Sequence, residues 1–146
     1  MLIINTDLWS DYRIVKVTSS SQLNWNKPDS AVITGCILNQ IKVYLTEVIE
    51  RKEKMILIID LSKGIFPPWM QALTIAKFFV SLKTLLVEGL AFTIIYAVTN
   101  DQKTWISRIL MLYTPARPVH IVESKDEIRQ KINEHIELIG SSISDK

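Results

Sequence analysis

Five consecutive apolar residues at positions 55–59, Met-Ile-Leu-Ile-Ile, constrain the fold of this chain more than any other feature. A strand with one wet face alternates apolar and polar residues, whereas an unbroken apolar run is typical of a strand covered on both faces. Residues 90–98 repeat the pattern, and a segment of helical periodicity separates the two runs. Strands joined through a single helix lie parallel and cross over with right-handed chirality. The two runs therefore predict the centre of a parallel sheet.

The rest of the chain alternates between the periodicities of strands and helices. Further strands are predicted at 2–4, 12–18 and 119–122, and helices at 29–50, 69–86, about 100–113 and from Ser124 onward, where Glu127 completes a capping box. We predict an α/β fold with a mixed, mostly parallel sheet of about five strands and about four helices, in the order ββαβαβαβα. Residues 1–146 form a single domain, with two strands and a loop in 1–26 and a flexible tail in 140–146.

Composition excludes several classes of protein and site. Apolar residues make up 48% of the chain and charged residues 22%, which excludes a disordered chain. The net charge of +2 lacks the basic footprint of a nucleic-acid-binding protein. With a single cysteine, Cys36, and only His120 and His135, the sequence predicts no internal disulfide, no metal site and no cofactor. We expect Cys36 to pack as a small hydrophobe and His135 to lie on an apolar helix stripe, and His120 has no visible partner.

Membrane and export segments are not predicted. The N-terminus has no basic region and reaches Asp7 early, unlike a secretory signal. Uncharged runs at 65–76 and 89–100 are twelve residues long, against about 20 for a spanning helix. We expect a cytoplasmic protein, with peripheral contact to a membrane as an alternative.

Polar residues follow both buried strands, where ligands bind in open parallel sheets. Asp60, Ser62 and Lys63 follow the first strand, and Asn100 follows the second. An Asp with a nearby Lys fits an acid/base pair, but Asp at a strand end is more often the cap of a turn. Because no nucleophile–base pair and no glycine-rich phosphate loop accompany these residues, we predict that the chain is not an enzyme.

The segment 69–86 and the helix after it carry more apolar residues than one buried stripe requires. Each large apolar side chain left in water forgoes about 1.5–3 kcal/mol, so this surplus requires cover. Three covers remain open: the rest of the domain, a second protein chain, and an apolar ligand or bilayer. The predicted ligand or partner surface consists of Trp69, Leu73, Phe78, Phe79, Leu82, Trp105, Ile109 and Tyr113.

Residues 29–137 resemble the SpoIIAA-like branch of the STAS superfamily, whose fold is loosely related to CRAL-TRIO lipid-binding domains. The resemblance is carried by four segments: MILIIDLS at 55–62, WISRIL at 105–110, YTPARPVHIV at 113–122 and SKDEIR at 124–129. It implies a non-enzymatic module that binds a partner or an apolar ligand. STAS domains that antagonise anti-sigma factors carry an Asp-Ser-Ser phosphoacceptor that opens the helix after the central strand. This chain has IFPPW there, at 65–69, so the phosphorylation switch does not transfer.

Three functional hypotheses follow. The leading one is a cytoplasmic STAS-like binding and regulatory module, self-associating as a homodimer through its apolar helix surface. The alternative is a carrier or sensor of an apolar small molecule or lipid, with peripheral membrane contact. The third, an enzyme acting through Asp60, Lys63 and either Asn100 or Asp101, requires a polar pocket at the strand ends.

Overall fold

A computed structural model describes the backbone of residues 2–9, 12–19, 29–62, 69–112 and 114–144, and side chains within 12–18, 32–62, 72–111 and 114–135. The strands are β1 (Leu2–Trp9), β2 (Tyr12–Ser19), β3 (Lys54–Asp60), β4 (Leu90–Tyr96) and β5 (Val119–Val122). The helices are α1 (Asp29–Glu50), α2 (Trp69–Ser81), α3 (Lys83–Gly89), α4 (Asn100–Leu112) and α5 (Lys125–Ser144).

The strands form one sheet in sequential order, β1-β2-β3-β4-β5. β1 is antiparallel to β2, and β2 to β5 run parallel to one another. The predicted α/β class, with a mixed and mostly parallel sheet, is confirmed. β3 lies at the centre, and its residues Met55, Ile56, Leu57 and Ile58 are buried, as the absence of alternation predicts.

The two faces of the sheet carry separate apolar clusters. Because the parallel strands follow one another in order, right-handed crossovers place every connecting helix on the same face. On this helix-side face, sheet residues pack against α1 and α3 in a cluster of Val15, Val17, Leu38, Ile41, Leu45, Val48, Met55, Leu57, Leu82, Leu86 and Leu90. On the opposite face, α5 covers Tyr12, Ile14, Ile56, Ile58, Phe92, Ile94 and Val122 through Ile128 and Ile132. The fold therefore has three layers.

The helix predicted over 69–86 is two helices, α2 and α3, so the described residues contain five helices rather than about four. The break lies at Leu82, whose backbone N–H is shared between the carbonyls of Phe78 and Phe79 at 3.2 and 3.1 Å. The Ser81 hydroxyl also donates to the Phe78 carbonyl, at 2.6 Å. A hydroxyl that bonds back to a carbonyl of the preceding turn competes with the helix ladder and bends it.

Other local predictions have mixed outcomes. The Ser124 cap is confirmed, because its Oγ accepts from the backbone N–H of Glu127 at 3.3 Å. α5 continues to Ser144, beyond the predicted tail boundary at 140, since one glycine weakens a helix without ending it. The prediction for Cys36 is wrong: the thiol is exposed. The buried positions described in α1 are Thr34, Leu38, Ile41, Leu45 and Val48. Cys36 lies between Thr34 and Leu38, where the helix turns its side chain away from the sheet.

α1 also contains Val32–Glu50, a segment long and apolar enough to cross a membrane by length and composition. The sequence prediction counted only uncharged runs, which Lys42 and Glu47 interrupt. The inner stripe of this helix packs against the sheet, while 28% of the apolar window is buried, and a single helix that passes this test carries little weight. The segment is therefore weak evidence for a membrane span.

Candidate functional site

An apolar cavity of about 200 Å³ lies between the helix-side face of the sheet and helices α1, α2 and α4. Its floor is formed by side chains of β3, β4 and β5, among them Leu57, Ile59 and Ile95. Carbon atoms make up nearly all of its wall, which also includes Thr34, Ile37, Leu38, Ile41, Ala72, Ile75, Ala76, Phe79, Trp105, Ile106, Ile109 and Leu110.

The sequence of α2 explains why space remains at this position. Ala72, Ile75, Ala76 and Phe79 line the cavity, and their spacing places them on one face of the helix. Two of these four residues are alanines, whose side chains are single methyl groups. Small side chains at these positions leave volume that larger residues would fill.

Three residues of the predicted ligand or partner surface line this cavity: Phe79, Trp105 and Ile109. They come from two helices, and the structure brings them together on the inner side. The apolar surplus of the sequence is thus partly accounted for by the walls of a cavity.

The other residues of that predicted surface are placed differently. Leu82 is 5% exposed and belongs to the helix-side core, so it is not a surface residue. Phe78 is half-buried and packs against the same core, and Leu73 is half-buried outside the cavity wall. The side chain of Trp69 and the whole of Tyr113 lie outside the described residues.

Arg117 lines the cavity and was not selected from the sequence as a functional residue. It lies on the segment between α4 and β5, next to Pro115 and Ala116. Its Nη2 donates to the Val87 carbonyl at 2.7 Å, while its Nε is buried and has no hydrogen-bond partner among the described residues. No other described residue of the cavity wall carries a charge. The cavity is therefore apolar with one cationic group in its wall.

The polar strand-end candidates form local structure. The Asp60 Oδ1 accepts from the backbone N–H of Ser62 at 2.9 Å and from its hydroxyl at 2.6 Å. The Oδ2 lies 3.9 Å from the Lys16 Nζ. Asp60 thus caps the turn after β3, the structural alternative that the sequence left open. Asn100 is the exposed first residue of α4, and Lys63 lies outside the described residues.

Gln102, which sequence reasoning missed, joins the loops at this edge of the sheet. Its buried side-chain carbonyl accepts from the backbone N–H groups of Val98 and Thr99, and its amide donates to the Leu61 carbonyl at 3.0 Å. The cap of α4 is Thr99, whose hydroxyl accepts from the Gln102 backbone N–H at 3.2 Å.

Both histidines lie beside Phe92 on the α5 face of the sheet. The ring of Phe92 is centred 5.6 Å from His120 and 4.8 Å from His135, and His135 also meets Tyr12 edge-on. Burial lowers the pKa of His120, and the nearby positive charge of Lys131 lowers it further, against a smaller opposite effect of Glu134. Burial also lowers the pKa of His135, with a smaller contribution from His120.

In the described part of the chain, no three His, Cys, Asp or Glu residues lie grouped as metal ligands. The sequence matches no protein-family model and none of the curated proteins. The fold and the cavity together define a class: an α/β domain with an apolar cavity between its sheet and its helices.

Proposed function

We propose that this chain is a non-enzymatic α/β binding domain that holds a small apolar ligand between its sheet and its helices. The observation that carries the proposal is the cavity of about 200 Å³ walled by carbon. Apolar cavities of about 150 Å³ stay dry and take up benzene or xenon, whereas ligand pockets in general span about 300–1,000 Å³. The ligand of this domain is therefore a small molecule, close to a single ring or a short acyl chain in size.

The resemblance to SpoIIAA-like STAS domains supports the same proposal from a different direction, because it implies a module that binds rather than catalyses. We propose a carrier or sensor in the cytoplasm, one that takes its ligand from solution or from a membrane surface. In a sensor of this kind, an occupied cavity holds α2 and α4 at a set distance from the sheet. A partner protein that contacts these helices then distinguishes the occupied form from the empty one.

Native mass spectrometry of the freshly purified protein, beside denaturing mass spectrometry of the same sample, tests the proposal. We expect either a co-purifying mass of a few hundred daltons, released on denaturation, or an empty protein that binds added 1-octanol. The substitution Ala76→Leu fills the cavity and should abolish both signals. The matched control is Val80→Leu, which enlarges a side chain on the exposed side of the same helix and should leave binding unchanged. Absence of any bound mass together with no binding of 1-octanol contradicts the proposal.

A second candidate is a protein interface, the leading hypothesis from the sequence. The observation in its favour is that Val80 and Val87, one on each of α2 and α3, are 56% and 44% exposed. If these helices form a homodimer, Val80→Asp should convert a dimer to a folded monomer in native mass spectrometry without affecting the binding of 1-octanol. A wild-type protein that is monomeric at all concentrations contradicts the homodimer.

A further inference from the structure

We infer that the ligand of this cavity is an amphipathic carboxylic acid, whose carboxylate pairs with Arg117 while its apolar part fills the space beside Ala72 and Ala76. The inference rests on the proposed function, because it specifies the chemistry of the ligand for the same cavity. The observation behind it is the hydrogen bonding of the Arg117 guanidinium, whose Nε is buried without a partner among the described residues. This observation does not depend on the shape or size of the cavity.

One hydrogen-bond donor of Arg117, its Nε, is unpaired among the described residues. Buried N–H groups in folded proteins are almost always hydrogen-bonded, and leaving one unpaired costs about 1–3 kcal/mol. The Arg117 Nε is buried without such a partner among the described residues, in a side chain that lines the cavity. A ligand with an acceptor at this point supplies the missing hydrogen bond.

A hydrogen bond to the backbone fixes the orientation of the Arg117 guanidinium. The Nη2 of Arg117 donates to the Val87 carbonyl at 2.7 Å, and this bond ties the guanidinium to the end of α3. A guanidinium held in this way is pre-organised, so little rotational freedom remains to be lost when a ligand binds. Planar carboxylates fit the fork of an arginine through parallel N–H···O bonds, which a lysine cannot offer.

The positive charge of Arg117 has no counterion among the described residues. No carboxylate of the described residues lies in the cavity wall, and none of the ion pairs among those residues includes Arg117. The Nη2 hydrogen bond to Val87 lies in an exposed setting, whereas the Nε is buried, so an anion bonded to the Nε is screened less than an ion pair in water is. A carboxylate on the ligand supplies this anion, and the carbon wall favours an apolar remainder. A neutral hydrocarbon satisfies the wall and leaves the Arg117 Nε without a partner.

Two probes of equal chain length separate the carboxylate from the apolar part: octanoate and 1-octanol. Binding of each is measured by isothermal titration calorimetry at pH 7.5 to the wild type, Arg117→Gln and Ala76→Leu. We expect the wild type to bind octanoate at least tenfold more tightly than 1-octanol. Arg117→Gln should remove that preference while it retains the affinity for 1-octanol, and Ala76→Leu should lose both ligands.

The outcomes separate the two proposals. If Arg117→Gln binds octanoate as tightly as the wild type does, the role of Arg117 is refuted, while binding of 1-octanol still supports the apolar cavity. If the wild type binds neither probe, both proposals fail. Should Arg117→Gln unfold, Arg117→Lys provides the second variant: it keeps the charge without the planar fork, and we expect an intermediate preference for octanoate. An unchanged preference in Arg117→Lys refutes the paired geometry.

Discussion

Filling the cavity with Ala76→Leu should stabilise the empty protein, whereas the same change in a tightly packed interior destabilises it. Ala76 lines the cavity on α2, opposite the sheet. The substitution replaces a methyl with an isobutyl group, and each additional buried carbon contributes about 0.8 kcal/mol, for a total of roughly 2.4 kcal/mol. Ordering the leucine side chain costs about 0.5–1 kcal/mol. Helix propensity changes little, since Ala and Leu are both strong helix formers.

The net expectation is a gain of about 1.5 kcal/mol in the free energy of unfolding. For a chain of this length, that gain raises Tm by about 3–6 °C. Differential scanning calorimetry and urea denaturation of the ligand-free protein measure the two quantities, and Val80→Leu on the exposed side of the same helix should stay within about 0.5 kcal/mol of the wild type.

The reasoning is refuted if Ala76→Leu lowers Tm. Added volume in an already packed interior costs about 1–3 kcal/mol, and a loss of that size means that the side chains around Ala76 leave no space. The proposed ligand site would then be lost with the cavity. Whether Tm rises or falls therefore decides whether there is space beside Ala76, whatever the exact size of the change.

Three further predictions concern the framework around the cavity. Gly89→Ala should lower the free energy of unfolding by about 1–2 kcal/mol in urea, because the added carbon would lie 2.9 Å from the Ile49 Cγ1. A gain in stability would show that the Ile49 side chain moves aside at little cost. Gln102→Leu should lower the free energy of unfolding by about 2–4 kcal/mol in urea, because two backbone N–H groups and one carbonyl lose their hydrogen-bond partner. A loss below about 1 kcal/mol would show that these backbone groups find other partners. Acidification should lower Tm. In the folded protein the pKa values of His120 and His135 lie below the ordinary 6.5, so the unfolded chain takes up protons first as the pH falls through that value, and this favours unfolding. Stability is then fully present above about pH 6.5 and declines below it, and a double Gln variant of both histidines should flatten the profile of Tm between pH 5.5 and 7.5.

Much of the fold follows from local patterns. The unbroken apolar runs of β3 and β4 predict central strands, and the helices between them predict parallel pairing on the basis of chain connectivity alone. Successive side chains of β2 lie on opposite faces of the sheet, as its sequence pattern predicts: Val15 and Val17 belong to one apolar cluster, and Tyr12 and Ile14 belong to the other. The Ser124 cap likewise depends only on residues within one helical turn. Features of this kind depend on residues that are close in sequence, and periodicity and capping rules therefore predict them.

The candidate site was less accessible to the same reasoning. Phe79, Trp105 and Ile109 stood out in the sequence as surplus apolar residues, but their inward direction depends on how α2 and α4 pack against the sheet. A cavity forms where side chains from several helices and strands together fail to fill the space between them. The sequence of a single segment therefore does not predict it. The pair of alanines at 72 and 76 is the local signal that remains, and its meaning depends on where α2 lies relative to the sheet.

By itself, the sequence determined the α/β class, the parallel centre of the sheet and the apolar character of α2 and α4, because these depend on spacing along the chain. The tertiary structure alone decided that the helix over 69–86 breaks at Leu82, that this leucine belongs to the core, and that a cavity remains beside Ala76. It also decided that Arg117 meets the Val87 carbonyl and keeps a buried Nε without a partner. Residues 30 apart in the chain meet only after the sheet and its helices have assembled, and long-range contacts of this kind leave no periodic trace in the sequence.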